Sequence, residues 1–151
     1  MKRFSLICAT GLGLGYMPFA PGTFGTLLAF PIALGLLQAP FLVSVLCVIL
    51  FAGFSIWIAD RAESYFNQKD ASKIVIDEIC GMILLLLGIA FDPKRWIAAF
   101  FLFRFFDVFK IEPARWIEKK CPGGYGVVLD DLMAAVYGRI VLEIIMRLGW
   151  L

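Results

Sequence analysis

The chain has 151 residues, 62% of them hydrophobic, and a mean hydropathy of +0.89. That is far more apolar than a soluble domain of this length, so a membrane protein is expected; a soluble bundle of buried helices is left short of polar surface. A net charge of +2, with basic residues scattered rather than gathered in one stripe, argues against nucleic acid as a partner.

Lys2 and Arg3 precede an apolar stretch in the manner of a secretory signal, but Gly11, Gly13, Gly15 and Pro18 interrupt it and no small-residue cleavage site follows. The same glycines miss the dinucleotide-binding pattern, since position 16 is Tyr and no strand precedes them. The segment up to about Gly25 is therefore expected to be a re-entrant or capping element that walls a site. Pro31 and then Gln38-Ala39-Pro40 break the next apolar stretch, which predicts a helical hairpin over Phe24–Leu37 and Phe41–Ala59 that returns at Asp60.

Asp60 to Lys73 is the first polar loop. A helix is expected from near Ile74 or Asp77 to Phe91, a tight turn at Asp92-Pro93-Lys94-Arg95, and a helix to Phe109 that leads Arg104, Asp107 and Lys110 onto one broad face. Ile111 to Gly126 is a second polar loop, and a last helix starts around Asp130. Arg139 and Glu143, four apart on it, are placed to pair. Cys8, Cys47, Cys80 and Cys121 show no CxxC spacing and are expected to be buried or inert thiols. The whole reads as one domain over residues 1–151, an all-α, compact, membrane-embedded multi-helix bundle, although several apolar runs fall short of the roughly 20 residues of a full span.

Counting crossings puts the N-terminus and both polar loops on one side. That side carries Lys2, Arg3, Arg61, Lys69, Lys73, Lys110, Arg115, Lys119 and Lys120, so the positive-inside bias makes it cytoplasmic.

On this side fall five carboxylates. Asp77 and Glu78 open one helix, Asp107 closes the next, and Asp130 and Asp131 open the last. Helix capping accounts for each acid taken singly. It does not account for three separate helices delivering acids to one face. Carboxylates without any histidine suit a hard cation such as Mg²⁺, and nearby Lys and Arg suit an anionic substrate. The absence of histidine removes a phosphohistidine intermediate. No cysteine has an arginine six positions on, and no Asp-x-Asp is present to start an aspartyl-phosphate route. Metal-activated water remains for a phosphate-ester hydrolysis.

The segments PGTFGT (Pro21–Thr26), KDASKIVIDEICG (Lys69–Gly81), FRFFDVFKIEPARW (Phe103–Trp116) and GGYGVVLDDLMAA (Gly123–Ala135) resemble, in order and spacing, the phosphatidylglycerophosphatase A family over nearly the whole chain. Ala71 and Ala135 depart from the expected Pro and Gly. The resemblance implies a Mg²⁺-dependent phosphatase of the bacterial inner membrane, multi-pass, that converts phosphatidylglycerophosphate to phosphatidylglycerol with its active site toward the cytoplasm.

The expected roles follow. Asp77, Glu78, Asp130 and Asp131 hold one or two Mg²⁺, and Asp107 completes the site or orients water. Arg104 and Lys110 balance phosphate charge, and Asp131 also serves the chemistry. Backbone and hydroxyl groups of Thr23, Gly25, Thr26, Gly123 and Gly124 are candidate phosphate contacts. Asp60, Glu63 and Asp70 are expected to be solvated loop charges. Two alternatives stand beside this reading: a phosphatase for another lipid or polyprenyl phosphate, and a small membrane transporter whose acids line a cation path through the membrane's depth.

Overall fold

The computed structural model describes residues 2–69 and 71–151, with the side chain of Glu118 also left aside; Asp70 therefore lies outside the described residues. Among the described residues the chain is built from seven α-helices and one 3-10 turn, without strands. The helices are α1 (Lys2–Ala9), α2 (Pro21–Leu36), α3 (Phe41–Phe66), α4 (Ile76–Leu86), α5 (Pro93–Phe109), α6 (Ala114–Lys120) and α7 (Gly124–Arg147).

The centre of the bundle is α4. Nearly all of its residues are buried, as a helix apolar on every side must be, and it packs against α2, α3, α5 and α7. Around it lie Ala29, Ala33, Trp96, Ala99, Phe103, Ala134 and Leu142. Glycine brings the helices close. A Cβ on Gly81 would stand 2.6 Å from the Phe103 ring and 2.9 Å from the Asp131 carbonyl, so α4, α5 and α7 meet at this residue.

The chain breaks where expected, with α2 ending at Leu36 and Pro40 preceding α3, and both helices pack on α4 rather than along each other. Pro31 makes no such break: α2 runs through an exposed Pro31 while its other face stays packed on the core. Likewise α3 continues past Asp60 to Phe66, and Asn67 closes it with φ 51°. The turn before α5 is a helix start, where Pro93 occupies the first turn and Asp92 accepts a hydrogen bond from the Arg95 amide at 2.9 Å.

Two segments differ from the expectation, while the N-terminal stretch takes the capping role expected of it. The N-terminal stretch forms α1 and a 3-10 turn (Leu14–Tyr16), with Ala9 packed among Ile58, Ala59 and Ala62 of α3, so it caps the bundle. The second polar loop contains α6, held to α7 where Tyr137 donates to the Glu112 carbonyl at 3.0 Å. The last helix starts at Gly124, nearly two turns before Asp130, because a Cβ at Gly124 would fall 2.1 Å from the Ile56 carbonyl; glycine lets α7 begin flush against α3. Close packing here outweighs glycine's poor helix propensity.

Among the described residues one helix, α3, is long and apolar enough to cross a membrane, with mean hydropathy 2.6 over its most apolar 18 residues. Its outward face carries Leu42, Val43, Leu46, Ile49 and Leu50, all exposed. Apolar residues are also exposed on α2, α5 and α7, a surface that fits a membrane-embedded bundle. At the far end of α3, Lys2 stacks over Tyr65, Arg61 over Trp57, and Lys73 over Tyr16 and Phe66. Such pairings of basic and aromatic groups suit a membrane–water boundary. Cys8, Cys47, Cys80 and Cys121 are free thiols; Cys80 is buried, whereas Cys47 is exposed on the apolar face of α3.

Candidate active site

The three acid-bearing helices converge at the polar end of the bundle. Asp77 and Glu78 stand in the first turn of α4, where the helix dipole favours negative charge. One oxygen from each of Asp77, Glu78 and Asp131 lies within 4.8 Å of the others. Arg104 approaches Asp107 to 2.6 Å and Glu78 to 3.7 Å, and the Lys110 ammonium donates to Asp130 at 2.7 Å. All seven groups line a single cavity of about 320 Å³, large enough for a phosphate and part of its ester.

The cluster carries more negative charge than its surroundings neutralise. Glu78 lies at the polar end, outside the α3 span, and burial together with the Asp131 charge pushes its carboxyl up to about 8. Glu78 Oε2 and Asp131 Oδ2 are buried and accept no hydrogen bond. Burying such oxygens is costly unless a cation or proton compensates, and an all-oxygen donor set is what a hard divalent cation takes. Asp77, Glu78 and Asp131 therefore fit a metal ion. Asp130, expected in the same group, is instead bonded to Lys110 and accepts from the Asp131 amide at 3.0 Å.

The remaining walls come from Ala20, Pro21 and Gly22 at the start of α2, from Ser72 and Ile74, and from Val108. Gly22 has no room for a side chain, since a Cβ would sit 2.1 Å from Glu78 Oε1. Of the expected phosphate contacts, Thr23 adjoins this wall. Gly25 and Thr26 serve packing: Gly25 abuts Val75, and the Thr26 hydroxyl donates to the Gly22 carbonyl at 2.8 Å. Gly123 and Gly124 pack on Asp60 and Ile56 of α3 and do not line the cavity. The N-terminal segment is expected to wall the site, and Gly22 does; Ser72 and Val108 are not expected there. Both sit within the family-like segments Lys69–Gly81 and Phe103–Trp116, but an apolar Val108 gives no polar signal.

The deeper charges are paired within the fold. Arg139 bridges Glu143 at 2.8 Å and donates to the Leu85 and Leu87 carbonyls at 3.0 and 2.7 Å. It thereby satisfies the open C-terminal end of α4. Acids gathered at one end, rather than spaced through the bundle's depth, do not make a cation path.

Comparison with known sequences agrees with this geometry. The family described as Phosphatidylglycerophosphatase A matches residues 7–146. A Bacteroides thetaiotaomicron protein named "Putative phosphatidylinositol-3-phosphatase" is 40% identical over 95% of this chain and 96% of its own. Proteins named Phosphatidylglycerophosphatase A from Haemophilus influenzae and Escherichia coli are 34% and 31% identical, over 94% and 92% of this chain and 91% and 81% of theirs. No solved structure matches the chain. An all-α bundle with an acid-and-cation pocket at one end is thus a phosphoric monoester hydrolase. More particularly, the chain belongs to the phosphatidylglycerophosphatase A family.

Proposed function

We propose that the protein hydrolyses the terminal phosphomonoester of phosphatidylglycerophosphate, giving phosphatidylglycerol and phosphate, in the bacterial inner membrane. The observation that carries this reading is the joining of three carboxylates within 4.8 Å to two basic side chains in one cavity. Asp77, Glu78 and Asp131 would hold Mg²⁺, which when bound supplies Lewis-acid charge stabilisation and acidifies water.

The chain's own residues do the rest. Arg104, fixed by Asp107, faces the phosphate oxygens and offsets the charge that grows on them. The start of α2 at Pro21 and Gly22 turns a helix N-terminus toward the same cavity, which favours an anion. Water's oxygen bonds to phosphorus as the bond to the glycerol oxygen breaks; the water gives up a proton and the leaving alkoxide takes one. Lys110, hydrogen-bonded to Asp130, is our candidate for delivering it.

The α3 span and the exposed apolar surfaces of α2, α5 and α7 support a multi-pass embedding. The basic residues at the polar end support a cytoplasmic pocket. A second reading, a phosphoinositide headgroup, is favoured by the name of the Bacteroides thetaiotaomicron relative that is 40% identical.

The test is phosphate release by purified protein from a panel containing phosphatidylglycerophosphate, phosphatidylinositol 3-phosphate, phosphatidic acid and a polyprenyl phosphate, with and without Mg²⁺. Phosphatidylglycerophosphate is expected to be cleaved fastest and only with Mg²⁺. Preference for another member, or full activity in chelator, would overturn the assignment.

A further inference from the structure

The cavity does not have a wholly polar rim. Ala20 and Val108 both line it while remaining exposed, Val108 at 64%. A pocket for a small water-soluble phosphate ester has no use for an apolar lip, and this lip continues into a groove.

Two helices make that groove. At 100° per residue, Ile97, Phe101, Arg104 and Val108 fall on one stripe of α5, and Thr23, Leu27, Phe30 and Leu34 on one stripe of α2. Each stripe has a member at the partner helix. Arg104 lies 3.1 Å from where a Gly22 Cβ would be, and Phe30 stacks edge-on against Trp96 and Phe100 with ring centroids 5.3 and 6.3 Å away. The helices therefore run antiparallel side by side, with the aromatic contact as a floor. Leu27, Ile97 and Phe101 stay exposed along the seam, Phe101 at 65%. From Val108 to Ile97 the groove extends about 16 Å along the helix axis, the reach of much of an acyl chain.

We infer that this α2–α5 groove is the binding subsite for an acyl chain of the lipid substrate, with the phosphate held at Arg104 and the chain laid along Leu27, Ile97 and Phe101. The inference rests on the lipid-phosphatase reading above. Its support is continuity: Arg104 and Val108 belong at once to the acid-lined cavity and to the apolar stripe. An amphiphile with one phosphate and one long chain matches that sequence of surfaces; the exposed apolar face of α3 lines a hollow of its own, at Leu42, Val43 and Leu46, and contributes no residue to the acid-lined cavity.

The experiment compares kcat/KM on long-chain phosphatidylglycerophosphate and on its dihexanoyl analogue, both in detergent micelles, for the wild type, Leu27→Trp, Phe101→Ala and Leu46→Trp on the α3 face. Leu27→Trp fills the groove and Phe101→Ala empties it, so a misfolded variant of one kind leaves the other to decide. Melting temperature in detergent confirms folding. The groove variants are expected to lose about tenfold on the long-chain ester, the scale of a change in an apolar pocket, with the dihexanoyl ester and Leu46→Trp unchanged. Equal losses on both esters, no loss in either groove variant, or an equal loss in Leu46→Trp would overturn the subsite while leaving the phosphatase reading intact. A wild type that releases phosphate from neither ester would sink that reading instead.

Discussion

Glu78 concentrates the electrostatic problem of the site. In the metal-free fold its carboxyl keeps a proton up to about pH 8, against 4.5 ordinarily. The unfolded chain gives up that proton first, so Glu78 lowers stability as pH rises between those values. Glu78→Gln is therefore expected to flatten the pH dependence of melting measured in chelator. The same variant should lose about a hundredfold or more in Mg²⁺-dependent phosphate release, as loss of a charge-bearing site group does. Gly22 tests geometry rather than charge. Gly22→Ala places a methyl where Glu78 Oε1 stands, so the carboxylate must move. Misplacement by an ångström is worth up to about 10²-fold, and a fall in kcat/KM at unchanged melting temperature is the expected signature.

Helix crossings carry the acids to one point. Gly81 and Gly124 set how closely α4, α5 and α7 and then α3 and α7 approach, and both face backbone or ring atoms that cannot yield cheaply. Gly124→Ala is expected to destabilise the protein in detergent by about 1–3 kcal/mol, the usual cost of overpacking, read as a lowered unfolding midpoint. At the other end of α4, Arg139 bonds the Leu85 and Leu87 carbonyls that end the helix. Arg139→Met keeps the apolar stem but leaves those carbonyls without the guanidinium. A loss of about 1–3 kcal/mol in chemical denaturation is expected, with the Mg²⁺ concentration for half-maximal activity unchanged because Arg139 does not line the cavity.

Taken together, the helices form a body apolar around its flank and charged at one end. Phe41–Phe66 is long and apolar enough to span, and Trp57, Tyr65 and their basic partners suit a membrane–water boundary at its end. The protein is expected to stay with membranes through high-salt and alkaline washes and to leave only with detergent, in fractions followed by immunoblot. Release by salt alone would mean that surface charge, not burial in hydrocarbon, holds it there.

Residue types and their order were enough to determine the all-α class, the break at Pro40 between α2 and α3, and the pairing of Arg139 with Glu143, because apolar periodicity and costly buried charge leave local traces. Those traces did not separate Asp130, which bonds Lys110, from Asp131, which joins Asp77 and Glu78: adjacent acids on a helix point about 100° apart, and what each meets depends on neighbouring helices. Nor did they reveal that Pro31 sits within a continuous helix, that α7 begins at Gly124, or that Gly123 and Gly124 seat α7 on α3. Close approach between segments distant in the chain decided these points, and with them the shape of the cavity, since only packing brings Gly22, Arg104 and Glu78 within contact distance.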